Sequence, residues 1–230
     1  MAITFVGAAA VVSNSNLVGT TGISLSPHAN QLTDDLMIAF MHRNQDDGGW
    51  SAAPTGWTTL AAEETGDGQD RATQICYRIA TADGEGSSTF KNTDTTGEQW
   101  AGCILTYRGV DTTTPIDVAY VTGSHFTALQ NKASPNVDAF DSITTVTDGA
   151  FVIALEAVTH DDITSNADPS GYTNAVRNIG SAEDHRQFQV WHKEVSTAGA
   201  ETPGAPAYTS NATVAESHQY TIAIRPAASS

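Results

Sequence analysis

The stretch Leu36-Met37-Ile38-Ala39-Phe40-Met41 decides the fold. Its apolar residues fall on both alternating faces, so it reads as a central strand from Leu36 to Met41 with cover on both sides. Outward from it, no window of a dozen residues repeats apolar positions three and four apart. Short Thr-, Val- and Ile-rich runs recur instead between Gly, Asp, Asn and Pro clusters, which is the pattern of strands and turns. Strands are expected at Leu36 to Met41, Arg71 to Ile79, Trp100 to Tyr107, Ala150 to Ala157, Gln187 to Val195 and Gln219 to Ile224. Weaker signals lie at Ile3 to Val6, Ile23 to Leu25, Thr58 to Ala61, Ile116 to Val121 and Ile143 to Val146. Where one face is wet, alternation shows: Thr73, Ile75, Tyr77 and Ile79 point one way, and Gln74, Cys76 and Arg78 the other.

The same signals occur twice. Phe5-Val6 returns as Tyr120-Val121, Ile38-Ala39-Phe40 as Ile153-Ala154-Leu155, and Pro54-Thr55-Gly56-Trp57 as Pro169-Ser170-Gly171-Tyr172, at a constant offset of 115 positions (5 to 120, 38 to 153, 54 to 169). Arg71, Gln74, Ile75 and Arg78 are answered by Arg186, Gln189, Val190 and Lys193. After the loop from Gly199 to Pro206 the offset grows by two, matching Leu105, Tyr107 and Arg108 to Ile222, Ile224 and Arg225. Insertions of that kind belong in loops. The expectation is an all-β, antiparallel, jelly-roll-like β-sandwich made of two internal pseudo-repeats, residues 1–111 and 112–230. The junction from Asp111 to Pro115 is short, which favours one fused sandwich with a shared core over two tandem small sandwiches.

Composition narrows the function. At 230 residues the chain is long enough for a core, and with 40% hydrophobic and 16% charged residues it is too apolar and too weakly charged to stay disordered. Asp and Glu number 26 against 10 Lys and Arg, a net charge of −16, and the cations are scattered. Nucleic acid and anionic membrane surfaces are therefore poor partners. The first cation is Arg43, so no positive signal-peptide start is visible, and no apolar run approaches the roughly 18 residues of a membrane span. Folding in the cytoplasm is expected, with Cys76 and Cys103 as buried thiols rather than a disulfide.

Catalytic motifs are sparse. The nucleophile elbow G-x-S-x-G is missing, and nothing singles out a Ser-His-Asp triad. Glu156 is the one acid inside a strongly apolar strand, but Phe151, Ile153 and Leu155 mark the opposite face, so it is expected to point to solvent or to a partner. The glucanase pattern E-x-D-x-x-E is absent. Asp46-Asp47, Asp67-Gly68-Gln69-Asp70 and His160-Asp161-Asp162 pair oxygen ligands in loops without an EF-hand spacing, and read as solvated loop acids. No catalytic residue, metal site or cofactor is expected. Trp50 follows Asp46-Asp47-Gly48-Gly49 and has no aromatic counterpart in the second half. An exposed ring there suits stacking on a sugar or anchoring a protein interface, which makes Trp50, Asp46 and Asp47 the binding candidates. Trp57 and Tyr172 recur with their turns and read as structural plugs.

Asp34-Asp35-Leu36-Met37-Ile38-Ala39-Phe40, Pro54-Thr55-Gly56-Trp57-Thr58, Tyr77-Arg78-Ile79-Ala80 and the run from Trp100 to Asp111 together resemble a group of β-sandwich proteins encoded by tailed bacteriophages and prophages. These are regarded as virion structural proteins. That group commonly reads Gly-Asp before the central strand, where this chain has Asp34-Asp35 and Asp148-Gly149, and both residue types suit the turn. The resemblance implies a non-enzymatic virion component, made in the host cytoplasm, that decorates or cements a capsid or forms part of a head or tail fibre. Its partners would be other virion proteins and, in a homo-oligomer, copies of itself. The alternative is a carbohydrate-binding module or lectin-like receptor-binding protein that takes a glycan through Trp50.

Overall fold

A computed structural model describes residues 1–44, 49–65, 71–95, 97–120, 126–127, 140–159, 163–178, 187–210 and 216–228. Among the described residues every regular element is a strand, none is a helix, and all strand pairings are antiparallel. The chain divides into two compact units, Thr4–Thr112 and Thr113–Ser230, the latter joined by Met1–Ile3.

The first unit contains β1 (Thr4–Ala8), β2 (Val12–Val18), β3 (Ile23–Leu25), β4 (Leu36–Asn44), β5 (Thr58–Thr65), β6 (Arg71–Ile79), β7 (Ser88–Phe90) and β8 (Gly97–Arg108). Its main sheet runs β1-β8-β4-β6-β5, with β2 also paired to β8. β4 is central, as its two apolar faces require, and every side chain from Leu36 to Arg43 is buried. Ile38 lies opposite Tyr77 on β6 and Leu105 on β8. On the other face Met37, Ala39, Met41, Cys76, Trp100 and Ile104 pack with Ile23, Leu25 and Phe90. The short ribbon β3-β7 thereby forms a second layer, giving a sandwich-like unit. Each fully buried Ile, Leu, Met or Phe side chain there contributes about 1.5–3 kcal/mol. Cys76 sits beside Ala39 and Cys103 beside Phe40, on opposite faces of the sheet; both are free, buried thiols, as the sequence predicts.

The second unit contains β9 (Ile116–Val118), β10 (Phe126–Thr127), β11 (Ile143–Thr144), β12 (Ala150–Thr159), β13 (Ile163–Ala167), β14 (Thr173–Asn178), β15 (Gln187–Val195), β16 (Ala200–Glu201), β17 (Ala207–Ser210) and β18 (Glu216–Ile224). Its main sheet runs β10-β18-β12-β15-β14, with β9 also on β18; β11-β16 and β13-β17 form separate ribbons. Phe140, Ile143, Val152, Ala154, Tyr172, Trp191 and Ala223 make a core on one face of that sheet.

Turn chemistry explains how each edge strand begins. Trp57 N donates to Pro54 O at 3.0 Å with Gly56 at φ 85°, and Tyr172 N donates to Pro169 O at 3.0 Å with Gly171 at φ 81°. A positive φ at the third residue is the type II requirement, which glycine meets without strain. Both strands that follow carry a bulge, between Thr59 and Ala61 in β5 and between Asn174 and Val176 in β14. Bulges on sheet edges discourage stray strand addition.

All six strong strands form; of the five weaker ones, that expected from Ile116 to Val121 is a strand only over Ile116–Val118 and that from Ile143 to Val146 only over Ile143–Thr144. The strands β2, β7, β10, β13, β14, β16 and β17 lie outside the predicted set. Val12-Ser13-Asn14-Ser15-Asn16-Leu17-Val18 is too rich in Ser and Asn to signal a strand, and becomes one by pairing along β8. Neighbouring backbone, not intrinsic preference, decides such segments.

Candidate functional site

Trp50 lies in a short extended segment that is stitched to the chain after β7. It bridges Asn92, while Ser51 N donates to Lys91 O and Thr93 N to Gly49 O. Its ring is half-buried and stands edge-on to Trp100 at 5.3 Å between centroids. The Arg43 guanidinium lies 5.9 Å from the ring centroid, and Arg43 also faces Asp94 at 3.6 Å. Arg43 is fully buried and Asp94 nearly so. Asp94 N donates to Asn92 Oδ1 at 3.0 Å, which fixes the acid's position. The indole is therefore built onto the first unit's core, against which Leu17 and Ala53 also pack. Its cation-π and edge-on contacts hold it in place, so only part of the ring is open to a ligand. Asp46 and Asp47 lie outside the described residues, as do 66–70 and 160–162.

Arg43 and Asp94 are a buried pair that sequence reasoning passes over. The signal is that β4 continues through His42-Arg43-Asn44, so a central strand carries a cation inward. Burying such a pair is costly unless its charges are compensated; here the Trp50 ring lies against the guanidinium, and Asn92 holds the Asp94 backbone.

Glu156 differs from expectation. It is fully buried, on the face of β12 that also carries Val152 and Ala154, and does not point to solvent. The register places it between Gln189 on β15 and Gln219 on β18, and Gln219 Nε2 donates to its Oε1 at 3.0 Å. Both glutamines are buried. Amide side chains on each flanking strand let a carboxyl enter the interior without an intolerable loss of solvation. Two glutamines flank this single acid, and Gln219 donates to it. Two opposed carboxylates, which glycoside hydrolysis uses, are a different arrangement.

The recurring aromatics sit as plugs. Trp57 packs edge-on to Phe90 at 5.2 Å and donates from Nε1 to Ser88 Oγ at 2.9 Å. Tyr172 donates to Glu201 Oε1 at 3.2 Å and lies under Lys193, whose Nζ pairs with the same carboxylate at 2.7 Å. Among the described residues, no three His, Cys, Asp or Glu side chains converge as a metal site would need.

A second polar centre, also unsignalled by motif, clips the start of β4. Gln31 is buried; its Nε2 donates to Ala82 O at 2.8 Å and its Oε1 accepts from Glu85 N at 2.8 Å. Arg108 and Asp35 form an ion pair next to it. These groups fasten the loop after β6 to the turn before β4, which is a structural task.

No family model, curated protein or solved structure matches this chain.

Proposed function

We propose that the protein is a non-enzymatic structural component of a tailed-phage virion, a capsid decoration or cement protein or part of a head or tail fibre, that docks on other virion subunits. In this reading the chain is two jelly-roll-like pseudo-repeats of one sandwich pattern. The observation that carries it is that the residues of the phage-protein resemblance are frame residues, and that the turns, edge bulges and sheet orders have partners in the other half. Gly56 and Gly171 take the same turn conformation, the β5 and β14 bulges fall at matching positions, and β4 and β12 hold the centres of sheets with matching order. Asp34 at φ 68° stands where the second half has Gly149 at φ 75°. Such a chain spends its distinctive residues on holding shape, which suits a particle component better than a catalyst.

The acidic surface keeps free copies soluble before assembly. The lectin alternative gains no support from Trp50, whose ring is locked against Trp100 under Arg43. The test is gradient fractionation of particles from the source virus, followed by antibody labelling on grids. The protein is expected to co-sediment with particles and to label one symmetric location. Recovery only in the particle-free lysate would refute the proposal.

A further inference from the structure

Two of the chain's Asp-Gly dipeptides, Asp83-Gly84 and Asp148-Gly149, fall among the described residues, and both are held in the same unusual way. Asp83 Oδ1 accepts from Thr33 N at 2.7 Å and from Thr33 Oγ1 at 2.9 Å, while Gly84 N donates to Gln31 O at 3.1 Å. Asp148 Oδ1 accepts from Ala198 N at 2.7 Å, while Gly149 N donates to Val195 O at 3.0 Å. The two glycines sit at φ 60° and 75°, fixed by the turns that contain them.

Asp-Gly is the dipeptide most open to self-attack, because glycine puts no side chain in the way. The glycine nitrogen bonds to the aspartyl Cγ, and the carboxyl hydroxyl leaves with the amide proton as water. Water then opens the succinimide at either carbonyl, restoring aspartate or shifting the main chain onto the side-chain carboxyl as isoaspartate. The reaction needs a neutral carboxyl, a free amide nitrogen and rotation about both residues.

We infer that Asp83-Gly84 and Asp148-Gly149 are latent isoaspartyl sites that the native fold keeps closed, by engaging the carboxylate and the attacking amide in separate hydrogen bonds. The Thr33 amide and hydroxyl also hold the Asp83 carboxyl below its ordinary range, which withholds the neutral form. The anchors come from different places: Thr33 precedes β4 and serves an acid after β6, whereas Asp148 itself precedes β12 and is served by Ala198 after β15. The two contacts join equivalent positions of the two halves, 33 with 83 and 148 with 198, and the acid stands on opposite sides of them. Isomerisation at these positions then reports local opening of the strand ends.

The test ages the full chain at neutral pH for weeks, native and in concentrated urea, and maps isoaspartate by peptide mass spectrometry. Isoaspartate at 83 and 148 is expected to form at least about tenfold more slowly in the native chain, because reaction must wait for a rare opening. Equal rates in both conditions would overturn the inference. Ala198→Pro removes the donor to Asp148, and is expected to accelerate position 148 severalfold while position 83 in the same molecules stays slow. If 83 stays slow and 148 does not change, the inference fails for that site; if both accelerate because the variant unfolds, the native-against-urea comparison of the parent decides.

Discussion

Arg108 grips Asp35 with two arms of its guanidinium, Nε donating to Oδ1 and Nη2 to Oδ2, each at 2.8 Å. Asp35 is almost fully buried and also accepts from Leu32 N at 2.8 Å, so one carboxylate ties the last residue of β8 to the turn before β4. The second unit keeps the arginine but moves the acid: Arg225 Nε donates to Asp117 Oδ1 at 3.3 Å, and Val146 N donates to Asp117 Oδ2 at 2.8 Å. Parallel two-armed bonds are stronger than a single longer one. Asp35→Ala is therefore expected to destabilise the protein by about 2 kcal/mol, the cost of stranding buried donors and an arginine partner. Asp117→Ala should cost less. Urea unfolding followed by tryptophan fluorescence measures both, and a larger loss for Asp117→Ala would contradict the geometry.

Asp34, two residues before β4, is expected to tolerate glycine better than its counterpart Gly149 tolerates a side chain. Asp34 is exposed and held at φ 68°, a conformation that strains any residue with a Cβ, whereas Gly149 holds φ 75° freely. A Cβ at Gly149 would meet only Pro226 Cγ at 3.7 Å, an ordinary contact, so the penalty is purely backbone. Gly149→Ala should destabilise by about 1 kcal/mol, and Asp34→Gly should change stability by less than about 0.5 kcal/mol, since lost strain offsets added freedom in the unfolded chain. Thermal melts of the two variants would decide it.

Much of this architecture was legible in the chain. The apolar run at Leu36 to Met41 located the central strand, and the Pro-x-Gly-aromatic turns announced their positive-φ glycines, because both signals are local. Glu156 was misread for a physical reason. Alternation tells which residues share a face with Val152 and Ala154, but not whether that face is covered, and both faces of β12 turned out to be buried. The Arg43-Asp94 and Thr33-Asp83 contacts were invisible because each joins residues some fifty positions apart whose types carry no motif.

Acid should weaken the second unit through His192. The ring is buried edge-on to Phe151 at 4.9 Å between centroids, and burial pushes its pKa down to about 4. The unfolded chain takes up this proton near pH 6.5, the native chain only near 4, so stability is fully present above about 6.5 and declines between the two. The loss should approach about 3 kcal/mol by pH 4. Measuring urea midpoints across that window for the parent and His192→Gln should show a shallower acid slope in the variant. Parallel slopes would mean that His192 is protonated in the native state as readily as in the unfolded one.

Neither cysteine should react in the folded protein. Burial pushes the Cys76 thiol up to about 11 and the Cys103 thiol up to about 12, and the reactive thiolate is scarce far below those values. A chromogenic disulfide reagent is expected to find no thiol under native conditions and both after denaturation. Rapid native labelling of either would show that its strand opens readily. Because the two lie on opposite faces of one sheet, oxidising conditions should leave the monomer without an internal disulfide.

The row Gln189-Glu156-Gln219 offers the sharpest test of how the second unit tolerates polarity in its interior. Matching positions in the first unit are Gln74, Met41 and Gly102, which sit in the same register across β6, β4 and β8. There a flexible apolar side chain fills the central place; here a carboxyl does, with Gln219 donating to it. Glu156→Gln keeps the volume and an acceptor for Gln219, so it should cost about 1 kcal/mol. Glu156→Ala removes the acceptor and leaves a void in a fully buried strand, and should cost about 3 kcal/mol. If unfolding experiments find the alanine variant as stable as the glutamine variant, Glu156 is not packed within the sheet's inner face, and its burial between the two glutamines is wrong. Polysaccharide cleavage that stops in Glu156→Gln while the fold survives would instead give this carboxyl a chemical task and overturn the non-enzymatic reading.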